Sequence, residues 1–307
     1  MFAIVCPGQG SQKPGFLFPW LEIQGVQEQL EKLSDATQLD LVHYGTVADE
    51  ETIKDTAIAQ PLIVAAGIIA GRALLDTGSA VASQTLFAGH SVGEVTAAAL
   101  SGVLTDEQAM QFIRVRAQGM AQAAQDTPSG MAAVLGGVEE DVRAAISEAG
   151  LVAANSNGAG QIVAAGSIEK LEAFAANASA RTRVIPLKVA GAFHTDFMTA
   201  AVNPLREFAA TLSPQDSISA LLTNFDGSVI SDGRTVLSSL VDQVTRPVRW
   251  DLCMETMKER NISAFVELAP AGTLVGLAKR GLRGTPAIAL NTPDDLGAAV
   301  AALDASE

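Results

Sequence analysis

The chain has 307 residues, 48% of them apolar and 18% charged, and a formal net charge of −14. That length buries a sizeable core, as one large domain or as a large and a small one, and the apolar share sets the chain apart from disordered proteins. The acidic balance argues against nucleic acid or an anionic membrane surface as partner. Two cysteines without C-x-x-C spacing, Cys6 and Cys253, make no metal cluster of their own and fit a reduced, cytoplasmic setting.

In chain order, MFAIVC reads as a first strand stopped by Pro7-Gly8, too short and uncharged for a secretory signal. The loop PGQGSQ, residues 7–12, lacks both the G-x-G-x-x-G spacing and the lysine of a phosphate loop. A loop after a parallel strand lies at the edge where such sheets bind ligands, so Gln9 is either an oxyanion donor or a turn residue bracing its neighbours. LEIQGVQEQLEKLSDATQL, from Leu21, reads as a surface helix, and AIAQPLIVAAGIIAGRALLDTG, from Ala57, as a mostly buried one. The apolar stretch from Pro61 is followed by Arg72 and falls short of a membrane span. SQTLFA, from Ser83, reads as a buried strand and EVTAAALSG as an Ala-rich helix ending at Gly102.

Between that strand and helix stands Gly89-His90-Ser91-Val92-Gly93. The pattern fits a nucleophile elbow, where serine sits at the apex of a sharp turn and the flanking glycines remove side chains that would collide; the alternative is an ordinary strand-to-helix turn. In DEQAMQFIRVRAQGMAQAAQ, from Asp106, the positions Ala109, Phe112, Ile113, Arg116 and Met120 share one helix face, so Arg116 lies on the apolar stripe and Arg114 on the wet one. A buried guanidinium calls for an anion, supplied by an internal salt bridge or by a substrate carboxylate.

After Thr127-Pro128-Ser129-Gly130 come strand MAAVLGG, helix EEDVRAAISEAG, strands LVAANS and QIVAAG, helix SIEKLEAFAANASA and strand TRVIPLKV. That βαββαβ order is the ferredoxin-like arrangement, predicted to close as a small subdomain over 127–189 within a large α/β domain of 1–126 and 190–307. From Gly191 longer helices return, followed by strand AFVELAP and a terminal helix LGAAVAALDASE.

A serine hydroxyl needs a base, and the chain has three histidines, His43, His90 and His194. His90 adjoins the nucleophile and is expected to point away from it. His43, in LDLVHYG, reads as structural. His194, in VAGAFHTDFM, lies where the chain re-enters the large domain, as catalytic base or as a solvated loop residue. Asp141, Glu148 and Glu172 lie between serine and histidine but fall on polar helix faces, so none serves as the third member of a triad; a backbone carbonyl orienting His194 would make a dyad.

Taken together in this order, PGQGSQ, AQP, GHSVGEV, Arg116 twenty-five residues after Ser91, GAFH and QVTRPVRW resemble the malonyl-CoA:acyl carrier protein transacylases of bacterial fatty acid synthesis and the acyltransferase domains of polyketide synthases, from Pro7 to about Leu290. The resemblance implies an α/β-hydrolase-like large domain and a malonyl transferase with a ping-pong cycle. Ser91 would be the acylated nucleophile, His194 the base and acid, and Arg116 the holder of the malonyl carboxylate. Gln9 and the Val92 amide would bind the oxyanion, the Gln243 main-chain carbonyl would orient His194, Gln60 would line the pocket and His90 would support the elbow. GAFH is similar to the HAFH box of malonyl-selective acyltransferases rather than to YASH, so Phe193, where some bacterial members have serine, is expected to exclude an α-methyl group. The implied partners are malonyl-CoA and acyl carrier protein, with no metal or redox cofactor, and a monomer is expected. Arg181, Arg183, Lys188, Arg246 and Arg249 are candidates for meeting the carrier or CoA phosphates, or are scattered surface charges. A serine hydrolase and a non-catalytic carrier-docking scaffold are the rival readings, and fatty acid and polyketide pathways are not distinguished.

Overall fold

The computed structural model describes residues 1–78 and 84–304. Ser83 of the predicted strand and residues 305–307 of the predicted terminal helix lie outside the described residues.

The large sheet is built from β1 (Phe2–Cys6), β2 (Thr85–Gly89), β7 (Ala220–Leu222), β8 (Val229–Ile230), β10 (Phe265–Leu268) and β11 (Ala287–Leu290), in the order β11-β10-β1-β2-β7-β8. Every neighbouring pair is parallel except β7 and β8. Buried on both faces, β1 and β2 are continuously buried rather than alternating, β1 wholly apolar and β2 apolar after Thr85, as suits central parallel strands. Their side chains still divide with a period of two. Ile4, Cys6 and Phe87 face a core with helices α1 (Val26–Thr37), α3 (Thr56–Leu75), α4 (Gly93–Leu100) and α5 (Asp106–Asp126). Ala3, Val5, Leu86 and Ala88 face one with α10 (Trp250–Glu259) and α11 (Thr273–Gly281).

Helix α3 has 20 residues and a mean hydropathy of 1.8 over its most apolar window, and it is longer than the apolar stretch from Pro61. By length and composition it could cross a membrane, but 78% of that window is buried inside the protein, as in a core helix. Helix α5 begins with a capping box between Thr105 and Gln108 and packs against α3 and α8 (Thr199–Ala209).

The second sheet has the order β6-β3-β5-β4-β9. Strands β3 (Gly130–Gly136), β4 (Val152–Gly158), β5 (Gln161–Gly166) and β6 (Thr182–Pro186), with α6 (Glu139–Glu148) and α7 (Ile168–Ala176), follow the predicted βαββαβ order with antiparallel neighbours. Val134, Val142, Ile146, Ile162 and Leu171 fill a small core of their own. The sheet does not close on the insert alone: β9 (Val248–Arg249), from far downstream, pairs parallel to β4 at Asn155 and Ser156. Where the chain enters the second sheet before β3 and leaves it after β6, the Ser129 hydroxyl donates to Thr127 O at 3.1 Å and accepts from Ala192 N at 3.0 Å, tying the two crossings together.

Candidate active site

The turn between β2 and α4 has the shape its glycines suggested. A Cβ on Gly89 would overlap the backbone of Gly93, and one on Gly93 would overlap the Cys6 carbonyl, so only glycine lets strand, turn and helix approach this closely. Ser91 sits at the apex with φ 54°, a left-handed conformation costly for a residue with a side chain. It is held by its neighbours: Ser91 N donates to Asn224 Oδ1 at 2.8 Å, and Ser91 O accepts from Glu94 N at 2.9 Å and Gln243 Nε2 at 3.0 Å. The Val92 amide heads α4, among the first N–H groups that lack an intrahelical acceptor.

His194 also lies in the left-handed region, with φ 62°. The following Thr195 hydroxyl donates back to Ala192 O at 2.6 Å and fixes the loop. The His194 Nδ1 donates to the Gln243 main-chain carbonyl at 2.9 Å, which leaves Nε2 unprotonated to accept from Ser91 Oγ at 2.6 Å. Burial, reinforced by the Arg116 charge, pushes His194 down to about 3, so the imidazole is neutral at physiological pH.

Arg116 is fully enclosed, on the stripe of α5 where helical spacing placed it. Its Nη1 donates to Gln60 Oε1 at 2.6 Å and its Nη2 to Gln243 Oε1 at 2.7 Å; Nη2 also lies a long 3.4 Å from Ser91 Oγ. Its buried Nε–H has no hydrogen-bond partner among the described residues. Burial lowers the guanidinium to about 10, opposed by the charge of Glu94, and it stays protonated. A fully buried cation held by two neutral amides and retaining an unused donor is equipped to receive an anion beside the serine.

Gln60 and Gln243 bind the guanidinium, and Gln60 Nε2 also reaches Met120 Sδ at 3.6 Å. Phe193 is buried beside His194. His90 points away from the hydroxyl as expected: its Nε2 donates to Asn157 Oδ1 at 2.9 Å, joining the elbow to β4, and its ring lies 5.8 Å from Trp250. Gln9 is partly buried and turns its Nε2 to the Lys54 carbonyl at 3.4 Å, with Oε1 buried and unpaired among the described residues. His43 is exposed, against the Tyr44 ring, with its amide capped by Asp40. Asp141, Glu148 and Glu172 are exposed. Among the basic candidates, Arg249 is paired with Asp251 at 2.8 Å and Arg246 with Asp242 at 3.1 Å, whereas Arg181, Arg183 and Lys188 are exposed.

Two further site residues were not anticipated from the sequence. Glu94, on the first turn of α4, is buried; its Oε1 accepts from Asn224 N at 2.9 Å and its Oε2 accepts from Gln243 Nε2. Burial pushes it up to about 7, against hydrogen bonds from Asn224, Gln243 and Thr223 and the nearby Arg116 charge. Asn224 in turn links Ser91 N to Gly89 O through its side chain, donating to the latter at 2.6 Å. One signal for Glu94 was present: EVTAAAL has no polar face, so the only carboxylate on that helix had no wet side to occupy.

Residues 3–296 match the acyl transferase domain family. The chain is 46% identical over 296 residues to the malonyl CoA-acyl carrier protein transacylase of Mycobacterium tuberculosis, covering 96% of this chain and 98% of that one. It is 30% identical over 306 residues to the enzyme of the same name from Escherichia coli, covering 97% and 98%. The crystal structure of the Mycobacterium tuberculosis MCAT superposes with a TM-score of 0.94 at 46% identity, covering 96% and 98% of the two chains. That of the Synechocystis malonyl-CoA:ACP transacylase gives 0.89 at 30% identity, covering 97% and 100%.

Proposed function

The chain belongs to the acyl transferase domain family, and from that premise we infer that it transfers the malonyl group of malonyl-CoA to the phosphopantetheine thiol of acyl carrier protein. The observation that carries this reading is the buried Arg116, with an unpaired Nε–H and with Nη2 3.4 Å from a serine hydroxyl that is itself 2.6 Å from a neutral histidine. Such a site selects an acyl group that ends in a carboxylate.

In the first half-reaction His194 Nε2 takes the Ser91 proton as Oγ attacks the thioester carbonyl carbon. Gln9, releasing its long bond to Lys54, and the Val92 amide bind the oxyanion. The carbon–sulfur bond breaks, the CoA sulfur receives the proton from His194, and a malonyl-serine ester remains. In the second half-reaction the carrier thiol gives its proton to His194 and attacks the ester; its collapse returns the proton to Ser91 Oγ. The Gln243 carbonyl keeps Nδ1 protonated throughout, so no acidic third member is required, and the chemistry consumes no metal or redox cofactor.

Phe193 beside His194 is read as the group that disfavours an α-methyl substituent, and Gln60 as the residue that holds Arg116 in the pocket wall. Residues 127–189 are taken as a subdomain on a large domain of 1–126 and 190–307, a division supported by the four strands that the insert contributes to the second sheet. The two cysteines, both buried and unpaired, support a cytoplasmic setting. Intact mass of the protein after malonyl-CoA, then after phosphopantetheinylated carrier, tests the function. A one-malonyl gain that moves to the carrier, absent in Ser91→Ala, is expected; loss of the label to free malonate regardless of carrier would mark a hydrolase.

A further inference from the structure

The carboxylate of Glu94 touches neither Ser91 Oγ nor His194, and the transfer chemistry gives it no proton to move. It nevertheless lies at the junction of everything that does. A side-chain amide has one accepting and one donating end, and which end faces which way follows from its partners. Around Gln243 those partners are Arg116 Nη2, a donor, Ser91 O, an acceptor, and Glu94 Oε2. Both Glu94 oxygens receive donors, one from Asn224 N and one from Gln243 Nε2, with the Thr223 side chain a further donor to the carboxylate, so the group acts as an acceptor alone. It draws the NH2 end of Gln243 towards itself and leaves Oε1 for the guanidinium. With the amide reversed, NH2 would face Arg116 and Oε1 would face the carboxylate and Ser91 O, a mismatch at three contacts.

We infer that Glu94 is a positioning residue for acyl-group selection: by fixing the orientation of the Gln243 amide it aims Arg116 at the substrate carboxylate. The inference rests on the malonyl-transfer reading. Glu94 makes a second connection through Asn224, whose main-chain N–H it holds and whose side chain holds Ser91 N, so one carboxylate registers the specificity arginine and the elbow to each other. Its position on the first turn of α4 also suits a negative charge there.

The test is Glu94→Gln, which keeps size and shape but turns one acceptor into a donor. The opposing Asn224 N or Gln243 Nε2 then loses its acceptor, and Gln243 relieves its own conflict only by turning away from Arg116. The readout is kcat/KM for malonyl-CoA divided by that for acetyl-CoA. The ratio is expected to fall about tenfold, the size of one buried hydrogen bond lost, and to recover towards the parent value in Glu94→Asp, which keeps both acceptors. Gln243→Met, which retains the main-chain carbonyl for His194, is expected to lower the ratio to the same degree, and the double variant Glu94→Gln with Gln243→Met to lower it no further. A ratio unchanged in Glu94→Gln, whether both rates fall together or neither does, overturns the inference, as does an additive double variant. If Glu94→Gln fails to fold, Gln243→Met decides alone, and an unchanged ratio there overturns it. Failure of the parent protein to take malonyl onto Ser91 would instead sink the transfer reading, and the two failures are read on different proteins.

Discussion

Replacing Arg116 with methionine removes the guanidinium while filling much of its volume, so the loss can be worked from contacts. A carboxylate bound by two N–H groups of a buried arginine gains about 1.5–3 kcal/mol from each, so losing both costs about 3–6 kcal/mol in the complex. At 1.4 kcal/mol per tenfold, kcat/KM for malonyl-CoA should fall about a hundredfold to ten-thousandfold. Acetyl-CoA brings no carboxylate, and for it the change acts in the opposite sense. The parent enzyme must bury Arg116 against an acyl group that offers it nothing, whereas the variant does not, and His194 loses a neighbouring positive charge that lowers its basicity. Acetyl transfer is therefore expected to hold or rise. The variant also leaves Gln60 Oε1 and Gln243 Oε1 without their donor, so a lower melting temperature is expected and must be measured alongside. Rates are read from the intact mass of the carrier under matched thioester concentrations. Equal losses on both thioesters in a folded variant would refute the assignment of Arg116 to the carboxylate and return it to a purely structural role.

Acid should affect rate and stability at different places. Because His194 is held neutral down to about pH 3, kcat/KM of Glu94→Gln, in which the Glu94 titration is removed, is expected to stay level as pH falls through 6.5, until the protein unfolds; a one-proton loss of rate centred at 6.5 in that variant would contradict the burial argument. The stability sign is separate: between 3 and 6.5 the unfolded chain binds a proton at His194 that the folded one refuses, so this group's contribution is lost as pH drops through that window. Glu94 acts in reverse, since its folded value of about 7 lies above the ordinary 4.5, and its contribution is lost as pH rises through 7. Thermal melts across pH in Glu94→Gln should show the second trend flattened. Among glycines, Gly89→Ala is expected to destabilise by about 3 kcal/mol or more, because its Cβ meets the Gly93 backbone. Gly276→Ala in α11, where a Cβ meets nothing within 4 Å, should stabilise by about 0.5–1 kcal/mol; denaturant melts of the pair check both.

Much of this site is legible in the sequence, because its central groups carry strong local constraints. A serine between glycines after an apolar run implies a tight turn, and an arginine in register with Phe112 and Met120 implies burial whatever lies opposite. The position of Gln243 followed from the resemblance rather than from any spacing. Asn224, and Glu94 apart from the apolar helix it stands on, stay hidden for a physical reason. An acid on the first turn of a helix has an ordinary explanation in the helix dipole, and an asparagine in TNFDG has one in turn chemistry, so neither demands a partner. Strands β7, β8 and β9, of three, two and two residues, are too short to show alternation and exist because a neighbouring edge pairs with them. Strand β9 in particular recruits a downstream segment to the insert's sheet, and no local pattern in PVRW announces that.

Ser91 and His194, at φ 54° and 62°, are the two residues proposed to react, and both sit in a backbone conformation that costs an ordinary L-residue about 1–2 kcal/mol. That places the chemistry in tension with heritable robustness. Mutational drift or a laboratory selection that rewards thermal tolerance alone would find relief at positions 91 and 194, where glycine or asparagine relaxes the chain, and would enrich inert protein. Breeding a hardier catalyst from this scaffold therefore requires turnover to be scored in every round, with those two codons held constant while improvements are sought elsewhere.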